Sequence, residues 1–473
     1  MSANRPNNHP SPQNEGLRKL GRFLIEESNT SNYTSEQART ETSPPTVLAY
    51  FKSRWGEVDG YLPVLHKFKE MHPDWRIIAV IRSEHMANTV DEQAFLYNEL
   101  KDTVDTLIRL APRSPSTSQQ IFYRKWIRKT TSWYHRKCVR FSWRKVFKFL
   151  NNEEIKVIIK DHGHDDGFLL HIESVCPAAI CVAAPHGTGI YIDSPEANFR
   201  KQKNSKIDLL LVGDEAEIPC FQKSMARCSG EATIQAVGRP RYDRWWIEHL
   251  AQLPCFTTSE EHQLAQKSQR VFLFATRGPS SSFFPTESFE YLIKTVAETV
   301  LSEPGNLLLI KPHPQQDLEF IQSTMAQYPT NSWKISSLQT MQLAQISDFV
   351  ICMLSGVILD ALAVGKPTVE YFQYTQKLPC FFQNENGKTV SIYGKLGLAV
   401  TAERQEELKA LIDDYFSENK HSDQWEQQQL QASKFMKLDN QSSMRSVDAI
   451  QSLLEKQSTQ FTEADSVATS PKN

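Results

Sequence analysis

Three short stretches carry the side chains best suited to chemistry, and each follows an apolar run. Ala184-Pro185-His186-Gly187-Thr188-Gly189 comes directly after Ala179–Ala183. A histidine at the end of a strand, followed by glycines that let backbone approach a ligand, suits a general base, because imidazole titrates near neutrality. The same hexapeptide also reads as a turn whose imidazole merely closes a loop. Lys311-Pro312-His313-Pro314 follows Asn306–Ile310. Two cationic or hydrogen-bonding side chains held between prolines suit a stationary phosphate, since proline fixes the local backbone and lowers the entropy lost on ordering; the bland alternative is a strand-ending turn. The third stretch, Ile346 to Pro367, reads as strand, Ser355-Gly356 turn, helix, terminating Gly365 and next strand. Unpaired N–H groups and the dipole at the start of such a helix favour an anion such as a diphosphate. Asp360, about one turn into the helix, either reaches a ribose hydroxyl or simply favours the helix start, and a helix that only packs on its sheet remains the alternative.

Two further constellations stand out. Asp161-His162-Gly163-His164-Asp165-Asp166 follows another apolar run, and its nitrogen and oxygen ligands would permit a divalent ion. Acceptor contacts by Asp161, His162 and His164, with Gly187 on the same acceptor side, or a solvated loop, are the readings preferred over metal. Residues 121–150 hold ten Lys/Arg, nine aromatics and no Asp/Glu. Such a segment suits an anionic bilayer, where each basic residue contributes about 1 kcal/mol, or an anionic polymer. It equally reads as a surface helix with aromatics packed inward and cations solvated; nucleic acid is the least favoured partner.

These groups need a scaffold, and the apolar patterning describes one. Short β-rich runs alternate with helical stretches, the signature of βαβ units in parallel sheets. One set of strands is expected at 47–51, 76–81, 106–110, 156–160, 179–183 and 208–212, with helices at 61–71, 89–101, 118–150 and 168–175. A second set is expected at 270–275, 306–310, 333–335, 348–352 and 367–371, with helices at 286–302, 316–328, 339–346 and 356–364. The fold class is therefore α/β: two Rossmann-like, doubly wound domains facing a cleft, with C-terminal helices and polar tails. Boundaries fall at 1–45 (a mobile polar tail with a short helix near 17–27), 46–240, 241–402, 403–456 (helices) and 457–473 (a disordered tail).

The 473 residues carry 53 Lys+Arg against 55 Asp+Glu, so a net charge of −2 conceals +10 in residues 121–150 and −12 elsewhere. The N-terminus has no apolar core of the kind an export signal uses. The longest apolar stretch, Phe349 to Gly365, falls short of a membrane span. Eight cysteines form no Cys-x-x-Cys pair. A cytoplasmic chain is expected, lying at the inner face of the membrane if residues 121–150 dock there, with no metal and no cofactor.

The ordered series HGTG (186–189), AVGRPRYD (236–243), FLFATRG (272–278), LLLIKPHP (307–314) and SDFVICMLSGVILDALAVGKPTVEYF (347–372) resembles the CDP-glycerol glycerophosphotransferase family, of the GT-B-like group that also holds capsule polymerases and UDP-N-acetylglucosamine 2-epimerase. The resemblance implies that His186, beside Gly187, stands at the catalytic base and His313 at a second histidine contacting the nucleotide diphosphate. Ser355 and Gly356 fall on the family's paired serines, and Asp360 on the acid that follows. Glu370 is grouped with Asp360 as a ribose or donor contact. Thr276, Arg277 and Lys311 join the diphosphate side, and Arg241 and Asp243, with Arg239, fall on an interdomain turn. This sequence has HGTGIY where the family continues HGTP, and Cys352-Met353 where it has Thr-Asp. With those departures, the donor is a nucleotide sugar as readily as an activated polyol-phosphate.

The expected function is transfer of a sugar or polyol-phosphate from a nucleotide-activated donor to a hydroxyl of a polysaccharide or lipid-linked acceptor, in surface or capsular polysaccharide synthesis. The alternatives are a nucleotide-sugar 2-epimerase of the same fold and a non-catalytic protein that binds nucleotide or anionic polymer.

Overall fold

A computed structural model describes residues 17–20, 23–27, 43–52, 54–83, 86, 89–91, 93–110, 144–162, 167–185, 189–192, 206–225, 232–278, 285–313, 316, 318–373, 381–384, 387–417 and 422–468. The chain divides into two compact units, residues 1–58 with 68–181 and residues 59–67 with 182–473.

The first sheet contains β1 (Leu17–Leu20), β2 (Phe23–Glu27), β3 (Pro45–Phe51), β4 (Arg76–Ile81), β5 (Thr106–Arg109), β6 (Glu154–Asp161), β7 (Ile180–Ala184), β8 (Leu209–Val212) and β9 (Thr233–Ala236). Its order is β1-β2-β5-β4-β3-β6-β7-β8-β9. Strands β3 to β9 form the parallel part, and β1 and β2 pair antiparallel at one edge. The strands are near-continuous apolar runs, as burial on both faces demands: Val47 to Phe51 and Ile77 to Ile81 are all buried. The helix Trp55–Met71 begins earlier than the pattern suggests, because the Glu57 carboxylate accepts from the Arg54 and Lys52 backbone N–H groups and satisfies donors at its start.

The second sheet lies wholly in the second unit. It contains β10 (Arg270–Ala275), β11 (Asn306–Lys311), β12 (Trp333–Ile335), β13 (Phe349–Cys352), β14 (Thr368–Tyr371) and β17 (Val400–Ala402), all parallel, in the order β12-β11-β10-β13-β14-β17. A small antiparallel pair, β15 (Phe382–Gln383) and β16 (Thr389–Val390), stands apart. Phe272, Phe274, Leu308, Ile310, Phe349 and Ile351 build the core against the helices Thr286–Leu301 and Gln405–Tyr415. The helix Val357–Ala363 stops where Gly365 adopts φ +74°, a conformation natural to glycine, and the Lys366 N–H returns to the Ala361 carbonyl at 2.9 Å.

Three expectations are corrected. The polar tail expected over 1–45 contributes β1 and β2, not a helix near 17–27: Gly21 disfavours a helix there, and β2 satisfies its backbone groups against β5 over four residue pairs. The tail expected from 457 is helical to Ala468, within Ser442–Ala468, because no glycine or proline interrupts that stretch. Strands β9 and β17 escaped the sequence reading; they are only four and three residues long.

Of the basic segment, residues 121–143 lie outside the described residues. Its end, 144–150, is helical, with Val146 and Leu150 buried and Phe147 and Phe149 packed on the same core, while Arg144 and Lys148 are exposed. That end follows the inward-packed reading.

Candidate functional site

Strand register gathers the expected donor-side groups at the carboxyl edge of the second sheet. Ala275 pairs with both Lys311 and Cys352, and Cys352 pairs with Glu370, so the strands finish level with one another. The residues that follow sit where ligands of open parallel sheets are held. The Thr276 N–H continues the ladder to the Lys311 carbonyl at 3.0 Å, and the Met353 N–H to the Ala275 carbonyl at 3.0 Å.

The side chains there are tied to one another. The Thr276 hydroxyl donates to Gln316 Oε1 at 2.7 Å, and the His313 N–H donates to the same oxygen at 3.3 Å. Arg277 Nη1 donates to the Leu354 carbonyl at 3.0 Å. Leu354 adopts φ +45°, a left-handed conformation that a branched residue enters only under strain; the turn is thus held in a form that offers this carbonyl to the arginine. The Ser355 hydroxyl accepts from the Val357 N–H at 3.3 Å. Lys311 Nζ donates to the Ser337 carbonyl at 2.9 Å. Burial pushes the Lys311 pKa down to about 8, partly opposed by the Glu261 carboxylate. The His313 side chain is exposed.

Asp360, Arg241 and Asp243 take other parts. Arg241 Nη2 contacts Asp360 Oδ1 at 3.0 Å and Asp59 Oδ2 at 2.8 Å. The Tyr242 hydroxyl donates to Asp360 at 2.9 Å, and the Thr340 hydroxyl donates to its other oxygen. Asp360 is 2% exposed, so its carboxylate serves this buried cluster and does not face a ribose hydroxyl. Burial alone would lower the Arg241 pKa, but the Asp360 and Asp59 carboxylates raise it above the ordinary value. Burial raises the Asp59 pKa, Arg241 pulls it back and Asp360 pushes it further up. Asp243 accepts the N–H groups of Ser442 and Ser443 at 2.9 and 2.7 Å and caps the helix Ser442–Ala468. Glu370 is fully buried and accepts from the Ser391 hydroxyl at 2.6 Å. Cys352 is also fully buried, and burial drives its thiol well above the usual range.

In the first unit, Asp161 and His162 are buried at the end of β6, with His162 Nδ1 3.7 Å from Asp161 Oδ2. Their neighbour Lys160 is fully buried and paired with Glu173 of the helix Gly167–Val175. His164, His186 and Gly187 lie outside the described residues. Sequence reasoning missed Asp59 and Gln316. No local pattern ties Asp59 to Arg241, but Gln316 stands three residues after His313, a spacing that closes a turn.

No protein-family model and no curated protein matches the chain. Solved structures do match. An enzyme of Listeria monocytogenes described as a putative UDP-N-acetylglucosamine 2-epimerase has a TM-score of 0.56 at 12% identity, covering 88% of this chain and 97% of that one. The UDP-GlcNAc 2-epimerase of Neisseria meningitidis, bound to UDP-GlcNAc, has a TM-score of 0.55 at 12% identity, covering 86% and 100%. The wall teichoic acid polymerase TagF has a TM-score of 0.50 at 12% identity, covering 88% and 90%. What these share with the chain is the fold: two parallel-sheet α/β domains of seven and six parallel strands, GT-B-like.

Proposed function

We propose that the chain is a GT-B-type transferase that moves a sugar or polyol-phosphate group from a nucleotide-activated donor to an acceptor hydroxyl. The observation that carries this reading is the level edge of the second sheet, at or just beyond which Thr276, Arg277, Lys311, His313 and Ser355 all stand. Cationic and hydroxyl donors fixed before the reaction stabilise charge that develops on a leaving phosphate.

In this mechanism Arg277, Lys311, His313 and Ser355 hold the donor's phosphates. His186 takes the proton of the acceptor hydroxyl as its oxygen bonds to the transferred group. The bond to the leaving nucleotide breaks, and its electron pair goes to the phosphate oxygen facing these cations. They supply the positive charge, and no metal is assigned to the step; turnover is expected to persist within about twofold in a chelator, given how much a fixed donor set contributes. The family resemblance and the likeness to a wall teichoic acid polymerase both support an acceptor in surface or capsular polysaccharide synthesis. The ten Lys/Arg of residues 121–150 would dock that anionic acceptor or the inner membrane surface that carries it. Among the described residues no helix is long and apolar enough to cross a membrane.

A second reading, nucleotide-sugar 2-epimerisation, has the epimerase-like fold in its favour. It needs carboxylates free to exchange protons, which the loop 161–166 would have to supply; Asp161 is buried, Asp165 and Asp166 lie outside the described residues, and Asp360 is committed to Arg241, Tyr242 and Thr340.

Melting temperature measured with UDP, CDP and GDP compounds identifies the donor base by stabilisation. Transfer is then assayed with and without acceptor. His186→Ala and His313→Ala should each lower turnover by about a hundredfold or more. Full turnover by both variants would refute the assignment, and conversion of UDP-N-acetylglucosamine without acceptor would favour the epimerase.

A further inference from the structure

Gln316 closes a turn around His313 in both directions. Its backbone N–H donates to the His313 carbonyl at 2.9 Å, and its side-chain oxygen accepts from the His313 N–H at 3.3 Å. The same oxygen accepts from the Thr276 hydroxyl at 2.7 Å, which joins the turn after β11 to the end of β10. A backbone N–H can only donate, so the amide atom facing His313 must be the oxygen. The nitrogen therefore faces the other way. That nitrogen, Nε2, is buried and has no hydrogen-bond partner among the described residues. A buried amide donor left unmade is costly, and Nε2 is one of fourteen such buried side-chain atoms among the described residues. Glycine at 278 accommodates the side chain: a Cβ there would lie 3.3 Å from Gln316 Cγ. The amide thus runs beside Thr276, Arg277 and Gly278, next to the turn of His313.

We propose that Gln316 is a donor-binding residue whose Nε2 donates to an anionic phosphoryl oxygen of the nucleotide-activated donor, its orientation set by Thr276 and the His313 backbone. The proposal rests on the transferase reading of this sheet edge. A phosphoryl oxygen is the favoured acceptor because the residues tied to Gln316 adjoin Arg277 and Lys311, whose cationic groups select an anion over a neutral carbonyl. Gln316 also has a positioning part, since the oxygen that orients the amide holds the His313 turn.

Two substitutions separate these parts. Gln316→Glu keeps an oxygen for Thr276 and His313 but replaces the donating nitrogen, whereas Gln316→Met removes both functions at similar size. Binding of UDP, CDP, GDP and inorganic pyrophosphate is measured by calorimetry, with melting temperature as the check on folding. Each variant should bind pyrophosphate and the preferred nucleoside diphosphate at least about tenfold more weakly than the parent chain, as loss of a hydrogen bond to a charged group predicts. Unchanged binding by a folded Gln316→Glu, with a loss in Gln316→Met, would make Gln316 a structural clip and overturn the proposal. A loss confined to the nucleotide, with pyrophosphate unaffected, would move the contact to the base and overturn it equally. If Gln316→Glu fails to fold, unweakened pyrophosphate binding by Gln316→Met overturns it. If the parent chain binds none of the four ligands, the transferase reading falls, and this proposal with it.

Discussion

Arg241, which is buried, and Lys311, which is half-buried, are both basic groups of the second unit, yet their surroundings treat charge in opposite ways. Arg241 lies between two buried carboxylates, Asp59 and Asp360, which hold its pKa above the ordinary value. Lys311 donates to a neutral carbonyl, that of Ser337, and burial brings its pKa down to about 8 because the Glu261 carboxylate opposes it only in part. A guanidinium matched by carboxylates inside the fold has its charge already answered, and it works as architecture. An ammonium held by a carbonyl retains a demand for negative charge, which a phosphate can meet. The two roles are told apart by partner chemistry, not by residue type or degree of burial.

The largest effect should come from breaking the first of these arrangements. Arg241→Met leaves Asp59 and Asp360 buried together without their cation, and should lose about 3–5 kcal/mol of stability in denaturant unfolding. With Asp59 already raised by burial, the folded variant binds a proton more readily than the unfolded chain. Its stability should therefore improve as pH falls from about 8 toward 5, and a flat pH response would separate Asp59 from the cluster.

The next effect sharpens the other side. Since Lys311 loses its proton near pH 8 in the free protein and a diphosphate favours the ammonium, binding takes up a proton. Affinity should be level below about pH 7 and fall up to tenfold per pH unit above 8, until the higher pKa of the complex is reached. Calorimetry in buffers of different ionisation enthalpy reads the proton directly. Lys311→Met should abolish that pH dependence. It should also stabilise the free protein by roughly 1 kcal/mol at neutral pH, the reverse of Arg241→Met, because it removes a disfavoured buried charge at the expense of one hydrogen bond.

The smallest effect belongs to Leu354→Gly. Relief of the left-handed backbone, about 1–2 kcal/mol, is opposed by about 0.5–1 kcal/mol of added unfolded-state entropy and by about 1–2 kcal/mol of packing lost where the half-buried side chain meets the core. The melting temperature should stay level or fall slightly. A clear rise would show that the strained backbone, and not the packing of the Leu354 side chain, dominates this turn.

Most of the scaffold was legible because it is written locally. Strands β4, β10 and β12 match their expected limits, since apolar runs bounded by polar or turn residues define a buried parallel strand. The level edge was legible in part: His313, Lys311 and Arg277 each follow such a run. What escaped was settled over long distances. The Asp360 partners lie on segments around residues 241 and 340, so its place in the amphipathic pattern of Val357–Ala363 said only that it was near the helix start. The β1–β2 pair was misread because short strands at a sheet edge borrow their stability from a neighbour, here β5, and their own composition does not announce it.

The cap that Asp243 provides has a consequence in time. Its buried carboxylate sits two residues after Arg241 and receives its N–H donors from Ser442 and Ser443, 199 and 200 residues further on. During synthesis that turn can begin to pack, but the carboxylate is satisfied only once Ser442 and Ser443 have been made. A nascent chain stalled before residue 442 would present the Asp243 carboxylate without its closing helix.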